Sequence, residues 1–92
     1  MIQSIKSKPL RLLFEKGDSS KLRPDFIRKI ENILTRLHAA KELKDMNAPN
    51  YSLHPLKGSR KGIWAITIKE NWRITFRFDN GDAYDVNLED YH

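Results

Sequence analysis

Three consecutive side chains, Asp90-Tyr91-His92, place a carboxylate, a phenol and an imidazole at the end of this 92-residue sequence. Such a trio can move protons and can hold a base or a phosphate of RNA. A second imidazole, His54, precedes Lys57, and Arg73 and Arg77 sit in a run of alternating apolar residues. Lysine is a compact cation and arginine a planar fork of donors, and both suit phosphate. Arg60 and Lys61 add charge in the turn Gly58-Ser59-Arg60-Lys61-Gly62, where backbone amides can also approach an anion. Plainer readings stand beside these. The trio can be a frayed polar tail, Arg73 can pair with Asp85 or Glu89 across a hairpin, and His38 fits the surface or core edge of a helix.

Composition narrows the chemistry. The absence of cysteine removes disulfides, thiolate metal sites and thiol catalysis. The three histidines, at 38, 54 and 92, share no two-ligand spacing on one element, and no serine-nucleophile motif is present. What remains is general acid–base catalysis beside cations, with no metal and no other cofactor expected. That is the chemistry of RNA cleavage by the neighbouring 2′-hydroxyl. It needs a base for the hydroxyl, positive charge for the developing phosphorane and an acid for the leaving 5′-oxygen.

The net charge of +5 is unevenly spread. Residues 1–78 hold all 17 lysines and arginines against 7 acids, whereas residues 79–92 hold 5 acids and neither lysine nor arginine. A basic body suggests a polyanionic partner bound in a salt-dependent way; an acidic protein could cover the same surface. No apolar run approaches the ~20 residues of a membrane span. The first residues do not read as a signal peptide, so a cytoplasmic protein with no membrane partner is expected.

The elements that must position these groups form one domain, residues 1–92. Alternation over Ile2–Ser7 predicts a short N-terminal strand. Pro9 opens a helix over Leu10–Lys16 that Gly17 stops. Pro24 starts a second helix, with Phe26, Ile30, Ile33, Leu37 and Ala40 in register and Leu43 beside them, about five turns at period 3.6. The cations Lys29, Arg36, Lys41 and Lys44 fall off that stripe, on a face that reads as solvated. From Tyr51 the period becomes two. Strands are predicted over 51–56, 63–69, 72–78 and 83–89, with a tight Glu70-Asn71 connection and an Asn80-Gly81 hairpin. Trp72, Ile74, Phe76 and Phe78 then share one face, Arg73, Thr75 and Arg77 the other, and Tyr84, Val86 and Leu88 alternate as a set. The predicted class is α+β: an N-terminal strand, two helices, then a four-stranded antiparallel meander with the helices on one sheet face.

Five stretches carry a resemblance. Leu13-Phe14-Glu15-Lys16-Gly17, His54-Pro55-Leu56-Lys57-Gly58, Asn71-Trp72-Arg73-Ile74-Thr75-Phe76, Gly81-Asp82-Ala83-Tyr84 and Asp90-Tyr91-His92 occur in this order and spacing. Together they resemble the HigB-type toxins, or plasmid maintenance killer proteins, of the RelE/ParE superfamily. The resemblance implies a RelE-like fold and the toxin of a type II toxin–antitoxin pair, a ribosome-dependent mRNA endonuclease that cuts translated mRNA in the A site and inhibits translation. It further implies a HigA-type helix-turn-helix antitoxin, the 70S ribosome and mRNA as partners, with operator DNA reached only through the antitoxin. Residues implicated in such toxins match His54, Lys57, Arg73, Asp90, Tyr91 and His92. Arg60, Lys61 and Arg77 are added as RNA- or ribosome-binding groups on charge and position. Lys57 and Arg73 would face the scissile phosphate, His54 would act as base and His92 as acid, Asp90 would orient a histidine and Tyr91 would hold the nucleotide. A ParE-like gyrase poison, a binder that does not cut, is the alternative within the superfamily.

Overall fold

Ser7 opens the first helix. Its hydroxyl accepts the Leu10 N–H at 3.3 Å, and Pro9 lies in the first turn, where no N–H is needed. In the computed structural model, which describes residues 1–90, this helix α1 spans Lys8–Lys16 and ends at Gly17. A 3-10 turn, Pro24–Phe26, leads into α2, Ile27–Ala39.

Helix α2 is shorter than its periodicity predicts, because Ala40 leaves it in an extended conformation with ψ 135°. The Asp45 carboxylate accepts the N–H groups of Lys41 and Glu42, each at 3.0 Å, and so gives those amides partners outside a helix. Leu43 and Met46 reach the core from a separate 3-10 turn, Leu43–Met46. Lys29 is also not a merely solvated cation. Its Nζ donates to the carbonyls of Asn50 (2.9 Å) and Ile68 (3.0 Å), which ties α2 to the sheet.

The sheet is the predicted antiparallel meander, ordered β1 (His54–Pro55), β2 (Trp64–Lys69), β3 (Trp72–Asp79) and β4 (Asp82–Asp90). Strand β1 has only two residues, less than alternation from Tyr51 predicts. Ser52 takes a positive φ of 50° just before it, and Pro55 has no N–H to extend a ladder. Asn80 and Gly81, at φ 50° and 82°, make a turn between β3 and β4 whose twist matches the strands.

A bulge in β4 rearranges the predicted faces. Pairing passes from Thr75 opposite Asn87 to Arg77 opposite Tyr84, and Asp85 takes φ 55° between them. One extra residue moves everything on one side of it to the opposite face. Ala83 and Val86 are therefore buried, while Tyr84, expected to share a face with Val86 and Leu88, is exposed opposite Arg77. The same bulge limits the N-terminal strand to two isolated parallel bridges on β4, Ile2 to Ala83 and Ile5 to Val86. Between them the Asp85 N–H goes to the Ser4 hydroxyl at 2.8 Å rather than to a backbone carbonyl.

Both helices cover one sheet face. Leu10, Ile30, Ile33 and Leu37 are fully buried with Ile66, Ile74, Phe76 and Val86, and removing this apolar surface from water is the main force holding the layers together. Trp72 joins that core, its ring edge-on to Phe26 at 5.8 Å. The opposite face carries Thr67, Arg73, Thr75 and Glu89 across adjacent strands.

Candidate active site

A cleft of about 510 Å³ opens at one end of the sheet, and His54, Lys57, Arg60, Thr67, Trp72 and Arg73 are among the residues lining it. Its outer wall is the segment after β1. The Leu56 N–H bonds to the Ile63 carbonyl at 2.9 Å, so the residues between must turn back on themselves. They do so as a 3-10 turn, Gly58–Arg60, entered through Gly58 at φ 67°, a conformation that a side chain would disfavour. The inner wall is the β2–β3 hairpin, which contributes Arg73 opposite Thr67.

His54 is exposed, and its Nδ1 lies 2.7 Å from the Ser52 carbonyl oxygen. A carbonyl can only accept, so Nδ1 carries the proton of this bond. In the neutral ring Nε2 is then the acceptor, the state a general base requires.

Arg73 is held on the sheet face, with its side chain 12% exposed and its Nη2 3.4 Å from the Glu89 carboxylate. Of the two partners weighed for Arg73 from sequence, the structure selects Glu89. The Glu89 side chain is only 18% exposed and has further donors. Arg60 binds it through both guanidinium ends, at 2.8 and 2.5 Å, and the Thr75 hydroxyl donates to it at 2.8 Å. Thr75, 2% exposed, forms the floor beneath this carboxylate. Arg60 was expected as a cation for RNA; here it also anchors the turn to β4. Its hydrogen bonds, joined by those of Thr75 and Arg73, hold the Glu89 carboxyl below its ordinary 4.5, at about 2, against the opposing effect of burial. Glu89 in turn raises the Arg60 guanidinium further.

That depression links stability to acidity. A carboxyl whose folded value lies below its unfolded value stabilises the fold fully above the unfolded value, and the contribution disappears as pH falls through the folded one. Between about pH 5 and pH 2 the native chain should lose about 2 kcal/mol more than Glu89→Gln, after allowance for solvent screening of Arg60. Urea melts of both proteins across this range would show the gap closing; parallel pH dependences would deny Glu89 this role.

The other expected site residues are more scattered. Asp90 ends β4 as the pairing partner of Trp72, a residue of the cleft wall. Tyr91 and His92 lie outside the described residues. Lys61 is exposed immediately after the turn. Arg77 lies four residues beyond Arg73, about 13 Å along β3. It lines a separate hollow of about 520 Å³ with Gly62, Phe78, Asp79, Tyr84 and Asp85, so the structure does not place it in the cleft. Among the described residues, no three carboxylates or imidazoles converge as metal ligands would. Sequence reasoning missed the Arg60–Glu89 pair, whose members are 29 positions apart and share no periodic pattern.

Residues 3–92 match the family described as the RelE-like toxin of the type II toxin–antitoxin system HigB. A curated relative, the Endoribonuclease HigB of Proteus vulgaris, is 51% identical over 92 residues, covering 100% of both chains. Among solved structures, YafQ from E. coli strain BL21(DE3) superposes with a TM-score of 0.65 at 16% identity, over 98% of this chain and 91% of that one. A histidine-to-glutamine mutant of E. coli YafQ gives 0.64 at 17% identity with the same coverage. At that identity the two structures speak for the fold alone.

Proposed function

The chain belongs to the HigB family of RelE-like toxins of type II toxin–antitoxin systems, and from that premise we propose that it is an endoribonuclease that cuts translated mRNA in the ribosomal A site. The observation that carries this reading is the convergence of His54, Lys57, Arg60 and Arg73 on one cleft, with Asp90 paired to a residue of its wall. Basic groups around an imidazole with an accepting Nε2 suit a phosphodiester whose 2′-hydroxyl must lose a proton.

In the proposed mechanism, His54 Nε2 takes the 2′-hydroxyl proton as the 2′-oxygen attacks phosphorus. The P–O5′ bond breaks, and His92 gives its proton to the departing 5′-oxygen. Lys57 and Arg73 stabilise the charge on the non-bridging oxygens, where fixed cations contribute most. Asp90 orients a histidine, and Tyr91 holds the nucleotide by stacking or hydrogen bonding. The products are a 2′,3′-cyclic phosphate and a 5′-hydroxyl, and no step needs a metal. Arg60 holds RNA at the cleft, and Lys61 and Arg77 serve the wider RNA and ribosome surface. A HigA-type antitoxin neutralises the toxin in the cytoplasm. No described helix is long and apolar enough to cross a membrane.

Mapping mRNA 5′ ends after expression tests the proposal. Cuts inside translated frames should disappear when translation is blocked, and purified cleavage should persist in EDTA, leave cyclic or 3′-phosphate ends, and fail on a 2′-deoxy target. Intact mRNA with gyrase-linked DNA breaks would replace this reading by the gyrase one. A 5′-phosphate product would overturn the mechanism while leaving the activity.

A further inference from the structure

Glu89 is an unexpected group in a site for RNA. It places a negative charge, 18% exposed, on the same sheet face as Arg73 and in direct contact with two of the cations that line the cleft. A surface selected only to hold a polyanion would gain affinity by losing it. Stability alone is a weak reason to retain it, since buried ion pairs are often no better than apolar packing. Orientation is a stronger one. The carboxylate takes both guanidinium ends of Arg60, one end of Arg73 and the Thr75 hydroxyl, four bonds that tie the Gly58–Arg60 turn and β3 to β4. Two long side chains are thereby ordered before RNA arrives, so that their rotamer entropy is not lost in the transition state.

We propose that Glu89 is a positioning residue for RNA cleavage, acting through Arg73 and Arg60, and that its charge weakens RNA binding while raising the rate of the chemical step. This rests on the endoribonuclease reading above. Glu89 touches neither the substrate nor the reacting atoms in this scheme; it fixes the direction from which Arg73 meets the phosphate.

The signature is a split that a purely structural tie would not give. Glu89→Gln keeps the shape and part of the hydrogen bonding but removes the charge. It should bind a single-stranded RNA oligonucleotide, made uncleavable by 2′-deoxy substitution, several-fold more tightly in fluorescence anisotropy, with a steeper salt dependence. On ribosomes carrying a message in the A site, its saturating single-turnover rate should fall about tenfold. Thr75→Val keeps the charge but removes one bond that orients it. Its rate should fall about two- to fivefold, with affinity and salt dependence unchanged. A Glu89→Gln protein that melts lower yet matches the native chain in both rate and affinity would reduce Glu89 to a structural tie and overturn the proposal. If Glu89→Gln does not fold, an unchanged rate in Thr75→Val overturns it instead. Failure of the native chain to cut translated message would refute the endoribonuclease reading itself, an outcome distinct from native cleavage with an indifferent Glu89.

Discussion

Arg73→Ala should lower the single-turnover rate of mRNA cleavage on programmed ribosomes by about 10²–10³, the loss typical of removing one fixed donor to a developing oxyanion. The guanidinium projects from the second residue of β3, lines the cleft and is bonded to Glu89, so its position is set before substrate binds. The same change removes a donor from a mostly buried carboxylate, and a loss of about 1–3 kcal/mol in stability is expected with it. The two effects are separated by assaying well below the lowered melting temperature. Arg73→Lys retains charge but not the planar fork, and should fall between the native and alanine proteins. Cleavage by Arg73→Ala within a few-fold of native, with only the melting point reduced, would leave Arg73 as the structural partner of Glu89 and nothing more.

His92→Ala and His54→Ala should each slow cleavage by about 10²–10⁴ if the two imidazoles transfer protons as assigned. His54→Ala should cost little stability, since His54 is exposed and its ring bonds, among the described residues, only to the Ser52 carbonyl two residues away. The native rate should follow a bell-shaped pH profile, and each substitution should flatten one limb of it. Loss of the limb that rises with pH in His54→Ala would assign it as the base. A near-normal rate in His92→Ala would return Asp90-Tyr91-His92 to the reading of a polar tail. Equal and featureless losses with unchanged profiles would argue that both histidines bind RNA rather than move protons.

Several elements of this molecule are legible in its sequence. Pro9 and Gly17 delimit α1 through preferences that act within a few residues, although alternation over Ile2–Ser7 assigns the Ser7 cap to the end of a strand. Asn80-Gly81 turns the last hairpin because that dipeptide tolerates positive φ wherever it occurs. The five stretches matching the HigB pattern likewise pointed to the family that residues 3–92 fit. Errors arose where local pattern was overridden by contacts from elsewhere. Leu43 keeps helical register with α2, yet Asp45 captures the amides that a continuing helix would have used. Tyr84 alternates correctly with Val86 in the sequence, yet the bulge at Asp85 turns it to the opposite face.

By itself, then, the sequence determined the inventory of cations and imidazoles, the types of the elements and the order of the strands. These depend on periodicity and turn chemistry, which act over a few residues. Only the tertiary structure decided which cations share a cleft. Arg60 joins Arg73 there because Glu89 binds both, while Arg77, on the same strand as Arg73, lines another hollow. Which carboxylate meets which guanidinium depends on strand register summed across bulges and on where a loop folds back. Those are set by packing across the whole chain, and no short-range pattern records them.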